Sequence, residues 1–147
     1  MKDCLTILFA TLVIISLPQQ TFSRDDRLMF PIGDALATVA VQNRLQGIDF
    51  YFGDQKHPEV LQDLGEFNTN KKTNAFAKSD KQACEWVFLS ALLQLQERAR
   101  NLNANAVINI KSNYKYREFT SETEFECGAG HIIAGVALKG RIVKLTK

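Results

Sequence analysis

"SDKQACEWVFLSALLQLQERARNL", residues 79–102, holds the pattern from which the rest of the chain is read. Ser79 followed three places later by Gln82 is a capping-box pair, in which the serine hydroxyl accepts from an N–H of the first helical turn. Cys84, Phe88, Ala91, Leu92, Leu95, Ala99 and Leu102 then recur three or four places apart, the spacing of one helical face. Glu85, Gln94, Glu97, Arg98 and Asn101 fall away from that stripe, while Trp86, Leu89 and Leu93 widen its apolar arc. So wide an arc predicts a helix lying on a sheet. "NANA", residues 103–106, closes the helix with turn formers.

The sheet is expected on the C-terminal side. "AVINIKSNYKYREF", residues 106–119, alternates with period two, so that Ala106, Ile108, Ile110, Tyr114 and Tyr116 share one face and Asn109, Lys111, Asn113, Lys115 and Arg117 the other. "ETEFEC", residues 122–127, alternates in the complementary sense. A hairpin through "EFTS" sets Arg117 opposite Glu122, Lys115 opposite Glu124 and Tyr114 opposite Phe125. Each such pair contributes up to about 1 kcal/mol. The basic stripe then reads as a solvated face neutralised by its neighbour, not as an anion site. "HIIAGVALKGRIVKL", residues 131–145, completes the chain as a long strand, with Gly128, Gly130 and Gly135 bending it or letting the helix approach.

Upstream, "DALATVAVQNRL", residues 34–45, is expected to start a helix at Asp34, with Leu36, Val39 and Ala40 on one face. "GIDFYFGD", residues 47–54, reads as a strand between two glycines, and "QKHPE", residues 55–59, as a loop because Pro58 disfavours helix at His57. "LGEFNTNKKTNAF", residues 64–76, reads as a strand with one wet face. Helix, strand, strand, long helix and three strands predict an α+β fold: an antiparallel or mixed sheet with the long helix packed on one face.

The N-terminus points to a compartment. Lys2 precedes "LTILFATLVIISL", residues 5–17, Pro18 ends that apolar run, and Thr21 and Ser23 are small residues before a cut. These are the parts of a secretory signal peptide, and the run falls short of the about 20 apolar residues of a spanning helix. The expected division is a signal peptide over residues 1–23 and a single α+β domain over residues 24–147, periplasmic or secreted. An uncleaved membrane anchor is the alternative. Lys2 and Asp3 cancel, so residues 24–147 keep the net charge of +2, which offers no electrostatic case for nucleic acid.

Chemistry-bearing residues are few. "FECGAGHIIAG", residues 125–135, gathers a cysteine, glycines and one of two histidines. A dinucleotide loop needs glycine where Ile133 stands and a helix after it, and no G-x-x-x-x-G-K-[ST] phosphate loop occurs. Cys84, Cys127, His57 and His131 have the count for a zinc or copper site but not the close pairing of ligands that such sites show. A Cys–His nucleophile needs an exposed, acidified thiol, whereas Cys84 sits in the apolar stripe. Two cysteines in an exported chain are most simply one disulfide, tying helix to sheet between Cys84 and Cys127. Surface binding, if it carries the function, points to His57 in "FYFGDQKHP" and to Lys71 and Lys72, whose plainer readings are a loop residue and a solvated turn.

"LQERARNLNANAVINIKSNY", residues 95–114, followed by "FECGAGHIIAGVALKGRIVKL", residues 125–145, resembles the helix–strand pattern of small bacterial YbjQ-like proteins. "FYFGDQKHPEV", "GEFNTNKKTNAF" and "SDKQACEW" resemble an exported proteobacterial group of that kind, of unknown function. Members of that group have been labelled excinuclease ATPase subunits, a label at odds with the missing phosphate loop and the signal peptide. The resemblance implies an α+β unit able to form rings through sheet edges and carries over no catalytic residue. The second half is also similar to the sensor lipoproteins of the Rcs envelope-stress pathway, which implies a bridge between Cys84 and Cys127, although this chain has neither their lipid-attachment cysteine nor their second disulfide. The resulting expectation is a non-enzymatic binding or assembly domain without cofactor, whose partner is an envelope protein or a second copy. A redox or envelope-stress sensor and a metal-binding protein are the alternatives.

Overall fold

Residues 23–147 are described by a computed structural model. Strand β1 (Asp26–Pro31) leads into two short helices, α1 (Ile32–Leu36) and α2 (Val39–Arg44), and then into β2 (Asp49–Phe52) and β3 (Val60–Asn74). Helix α3 (Asp80–Asn101) follows, then β4 (Ala106–Ser112), a single 3-10 turn (Tyr114–Tyr116), β5 (Glu124–Ala129) and β6 (Ile133–Leu145). Cys4, the apolar run and nearly all of the expected signal peptide lie outside the described residues, as does the side chain of Val39.

α3 forms as its sequence predicts. Ser79 Oγ accepts from the Gln82 N–H at 3.1 Å, and Asn103, at φ +54°, ends the helix in the left-handed conformation that asparagine tolerates. The Asn105 side chain then bonds both backbone groups of Leu145, at 3.0 and 2.8 Å, fastening the turn to the end of β6. Cys84, Phe88, Ala91, Leu92, Leu95 and Ala99 are fully buried against the sheet. Phe88 stacks on Phe125 with centroids 4.0 Å apart, and burying a side chain of that size contributes about 1.5–3 kcal/mol. Trp86 departs from the expected arc: it is 57% exposed, on the flank beside α2, with the Arg44 guanidinium 5.7 Å from its ring.

β6 is the spine of a mixed six-stranded sheet. Along one side it pairs antiparallel with β3, from Asn74↔Ile133 to Val60↔Leu145. Its other side is shared, β4 taking the C-terminal half and β5 the residues Ala134 and Gly135. β1 adds antiparallel outside β5 and β2 parallel outside β4. Ala134, Val136, Leu138 and Ile142 turn toward the α3 side. Gly140 lies among them, where a Cβ would come within 2.7 Å of Val107 and 3.7 Å of Leu95. Gly140 thus makes room for Val107 of β4 beneath the helix, and Gly128 and Gly135 lie on the opposite face from α3.

Several expectations are corrected. The helix expected to start at Asp34 is two helices: α1 begins at Ile32 behind Pro31, and Thr38 Oγ1 caps α2 by accepting from Val41 N–H. A capping threonine competes with helix continuation, and the expected apolar face is not continuous, since Leu36 packs on the core while Ala40 is exposed. β1 is an element that the sequence reading passes over. The hairpin between β4 and β5 does not form, so Arg117–Glu122, Lys115–Glu124 and Tyr114–Phe125 are not cross-strand pairs; only a bridge from Ser112 to Phe119 closes that loop. Positive φ at Lys115 and Tyr116 turns the chain away, and β5 docks between β1 and β6. The single-face reading of β4 fails at Asn109, where φ is +51° and the register with β6 shifts. That bulge puts Val107 and Ile110 in the core under α3, and Ala106 and Ile108 in a second cluster with Val143, Leu145 and Tyr51.

Candidate functional site

The cysteine reading is settled by a bond. Cys84, in the first turns of α3, is joined to Cys127 of β5, with Cα atoms 5.9 Å apart and a separation of 43 positions in sequence. Both residues are fully buried. No thiol remains at either position to act as nucleophile or ligand. Among the described residues, no three His, Cys, Asp or Glu side chains come together around a common metal position.

The residues expected at the surface do not form one patch. His57 lies in the β2–β3 loop, its Nδ1 2.8 Å from the Pro58 carbonyl and its ring edge-on to Tyr51. Lys71 and Lys72 are inside β3, not in a turn, and alternation sends them to opposite faces. Lys71 is paired with Val136, which faces α3, and Lys72 with Gly135, on the uncovered face.

On that uncovered face the structure builds a groove. Gly128 of β5 and Gly135 of β6 are direct partners, so two missing side chains leave one dent in the sheet. The Tyr114 ring lies in half of it: a Cβ on Gly128 would stand 2.0 Å from the tyrosine oxygen. The remainder opens into a groove of about 600 Å³ walled by Lys72, His131, Ile132 and Ile133, within the size range of small-molecule pockets. Sequence inspection singled out Lys72 and His131 separately, and only the β3–β6 register brings them together.

Charged residues pin the rim. Arg24 forks onto Asp80, in the first turn of α3, and reaches Asp26 at 2.6 Å. Asp25 accepts from Tyr114 Oη at 3.1 Å and is ion-paired to Lys115, so that Lys115, with Tyr114, holds its carboxyl below the ordinary value. Beneath, Glu126 is fully buried, takes the Arg27 guanidinium at 2.6 Å and accepts from Ser112 Oγ at 3.3 Å. Neither Glu126 nor Arg27 was singled out from sequence. The nearest available signal is β5 alternation, which puts Glu126 on the side opposite Phe125 and Cys127 without saying that Glu126 itself is buried there.

The carboxylates are thus committed to structural partners, while Lys72 has no ion pair among the described residues. No hydrogen bond links His131 to Asp25. Comparison with protein-family models, with curated proteins and with solved structures finds no match to this chain.

Proposed function

We propose that this chain is a small exported domain, periplasmic or secreted, that acts by binding or assembly without catalysis. The apolar run behind Lys2 and a buried disulfide, which forms and persists in oxidising compartments, support the location. The YbjQ-like resemblance supports assembly through a sheet edge.

The observation that carries the assembly reading is the outer edge of β3. This strand has 15 residues, pairs β6 on one side, and has no strand on the other among the described residues. Its register from Glu66 to Asn74 is unbroken, and an exposed edge of that length is a template for another strand. A second copy fits it. In an antiparallel pair centred on Thr69, Lys72 of each copy falls opposite Glu66 of the other, and Asn68 falls opposite Asn70. Opposite charges facing across strands favour that register over its neighbours.

Sedimentation over a range of concentrations tests the reading, with proline placed singly at Asn70 and at Lys71. Successive N–H groups alternate between β6 and the outside, so one variant keeps the native circular dichroism and loses the dimer while the other disrupts the fold. A parent protein that stays monomeric at high concentration removes self-association. A redox sensor is the less supported reading, because thiolate attack needs access to a sulfur and both sulfurs here are enclosed.

A further inference from the structure

At the groove end of the molecule, two loops lie side by side. The Ala75 N–H donates to the Ile132 carbonyl at 2.7 Å, which joins the turn after β3 to the turn before β6. Together they expose three large apolar side chains: Phe76 at 69%, Ile132 at 64% and Ile133 at 53%. Scattered exposed hydrophobics need no explanation, but a cluster at one tip does. Phe76 owes its position to the turn itself: its N–H is held by Asn74 Oδ1 at 2.8 Å, and Ala77 follows at φ +59°.

The charges at the tip that lack an ion pair among the described residues are lysines. Lys72 and Lys78 flank it, and neither has a carboxylate within ion-pair distance among the described residues, Lys78 instead donating to the Asn74 carbonyl. His131 adjoins Ile132. The acids closest to this end are tied to cations: Asp25 to Lys115, and Asp26 and Asp80 both to Arg24. An apolar tip flanked by two unpaired lysines matches the boundary of an anionic bilayer, where apolar groups enter the acyl region and ammonium groups stay at the phosphates.

We propose that the tip formed by Phe76, Ile132 and Ile133, with Lys72 and Lys78, docks on an anionic phospholipid surface. This does not depend on β3 pairing with a second copy, which would engage Lys72 with the other copy's Glu66 and leave Phe76, Ile132, Ile133 and Lys78 to the surface. Docking by this tip leaves the α3 flank and the β2 end of the molecule facing solution.

Co-sedimentation of the disulfide-bonded protein, as isolated from its own compartment, with phosphatidylglycerol or phosphatidylcholine vesicles tests the proposal. The expected result is partition onto phosphatidylglycerol that weakens with salt and is at least tenfold weaker onto phosphatidylcholine. Phe76→Ser/Ile132→Ser lowers the partition at least tenfold with unchanged circular dichroism, and Lys72→Gln/Lys78→Gln removes its salt dependence. Leu61→Ser, equally exposed at 67% but at the far end of β3, leaves it unchanged. Equal partition of the parent and the Phe76→Ser/Ile132→Ser variant overturns the proposal, and so does no partition of the parent at low salt. Complete release by millimolar inorganic phosphate reassigns the lysines to a soluble anion and also overturns it. Running the assay on the monomeric proline variant separates this outcome from the fate of the β3 edge.

Discussion

Gly128 and Gly135 face each other across the β5–β6 pair, and the ring of Tyr114 lies in the space that their missing side chains leave. The tyrosine is fixed at its far end by Asp25, so the glycine pair, the 3-10 turn and the start of the described chain are joined through one ring. A methyl group at position 128 cannot coexist with that ring. Gly128→Ala is expected to expel Tyr114 and lower stability by about 1–3 kcal/mol, the usual cost of overpacking. Tyr114→Ala combined with Gly128→Ala should cost less than the sum of the single changes, as read from urea unfolding midpoints.

The disulfide closes a loop of 43 residues, worth about 4 kcal/mol in the chain-entropy model before any native strain is subtracted. Cys84→Ala/Cys127→Ala is expected to lower the unfolding free energy by about 2–4 kcal/mol. Because both cysteines are inaccessible, mild reductant under native conditions should leave the bond intact, and reduction should become fast only in denaturant. Thiol titration with and without urea checks this.

Acid should loosen the uncovered face. Lys111 and then Lys139 hold the Glu118 carboxyl down to about 2 from its ordinary 4.5. A folded value below the unfolded one means that the stabilisation is full above pH 4.5 and is lost as the pH falls through about 2. Asp63 shifts the same way, held chiefly by the Gly65 N–H and then by Arg141. The thermal midpoint should therefore drop between pH 4.5 and 2, and Glu118→Gln should remove part of that drop. These groups are exposed, so the difference should shrink in high salt.

The Asn109 bulge offers a backbone test. At φ +51°, asparagine tolerates the conformation, glycine adopts it at no steric cost and a β-branched residue resists it. Asn109→Gly should be neutral or slightly stabilising, whereas Asn109→Val should cost about 1–2 kcal/mol. Thermal unfolding of the two variants measures the difference.

α3 was legible down to its cap because helical periodicity and the Ser79 hydroxyl act within a few residues. β6 was legible for a similar reason, its run of β-branched and small residues having no competing pattern. The alternation of β4 was misread because one residue in the left-handed conformation reverses its phase, and asparagine announces that possibility without requiring it. The charge pairs of the expected hairpin were misassigned for a different reason. Lysines and glutamates at the right spacing satisfy many partners: Lys111 and Lys139 share Glu118, at 2.7 and 2.8 Å, while Lys115 turns to Asp25. β1 was too short and too charged to stand out, and it exists because β5 offers it an edge.

The sequence alone was enough for an α+β chain with a long amphipathic helix, for its long C-terminal strand and for the proximity of Cys84 to Cys127, because each follows from local period or from the chemistry of a cysteine pair. Tertiary structure decided which strands are neighbours, that Lys72 and His131 line one groove over a floor of opposed glycines, and that Phe76 and Ile132 share one tip. Those relationships join residues tens of positions apart. They depend on sheet register, which the period of a single strand leaves open until its neighbours are in place.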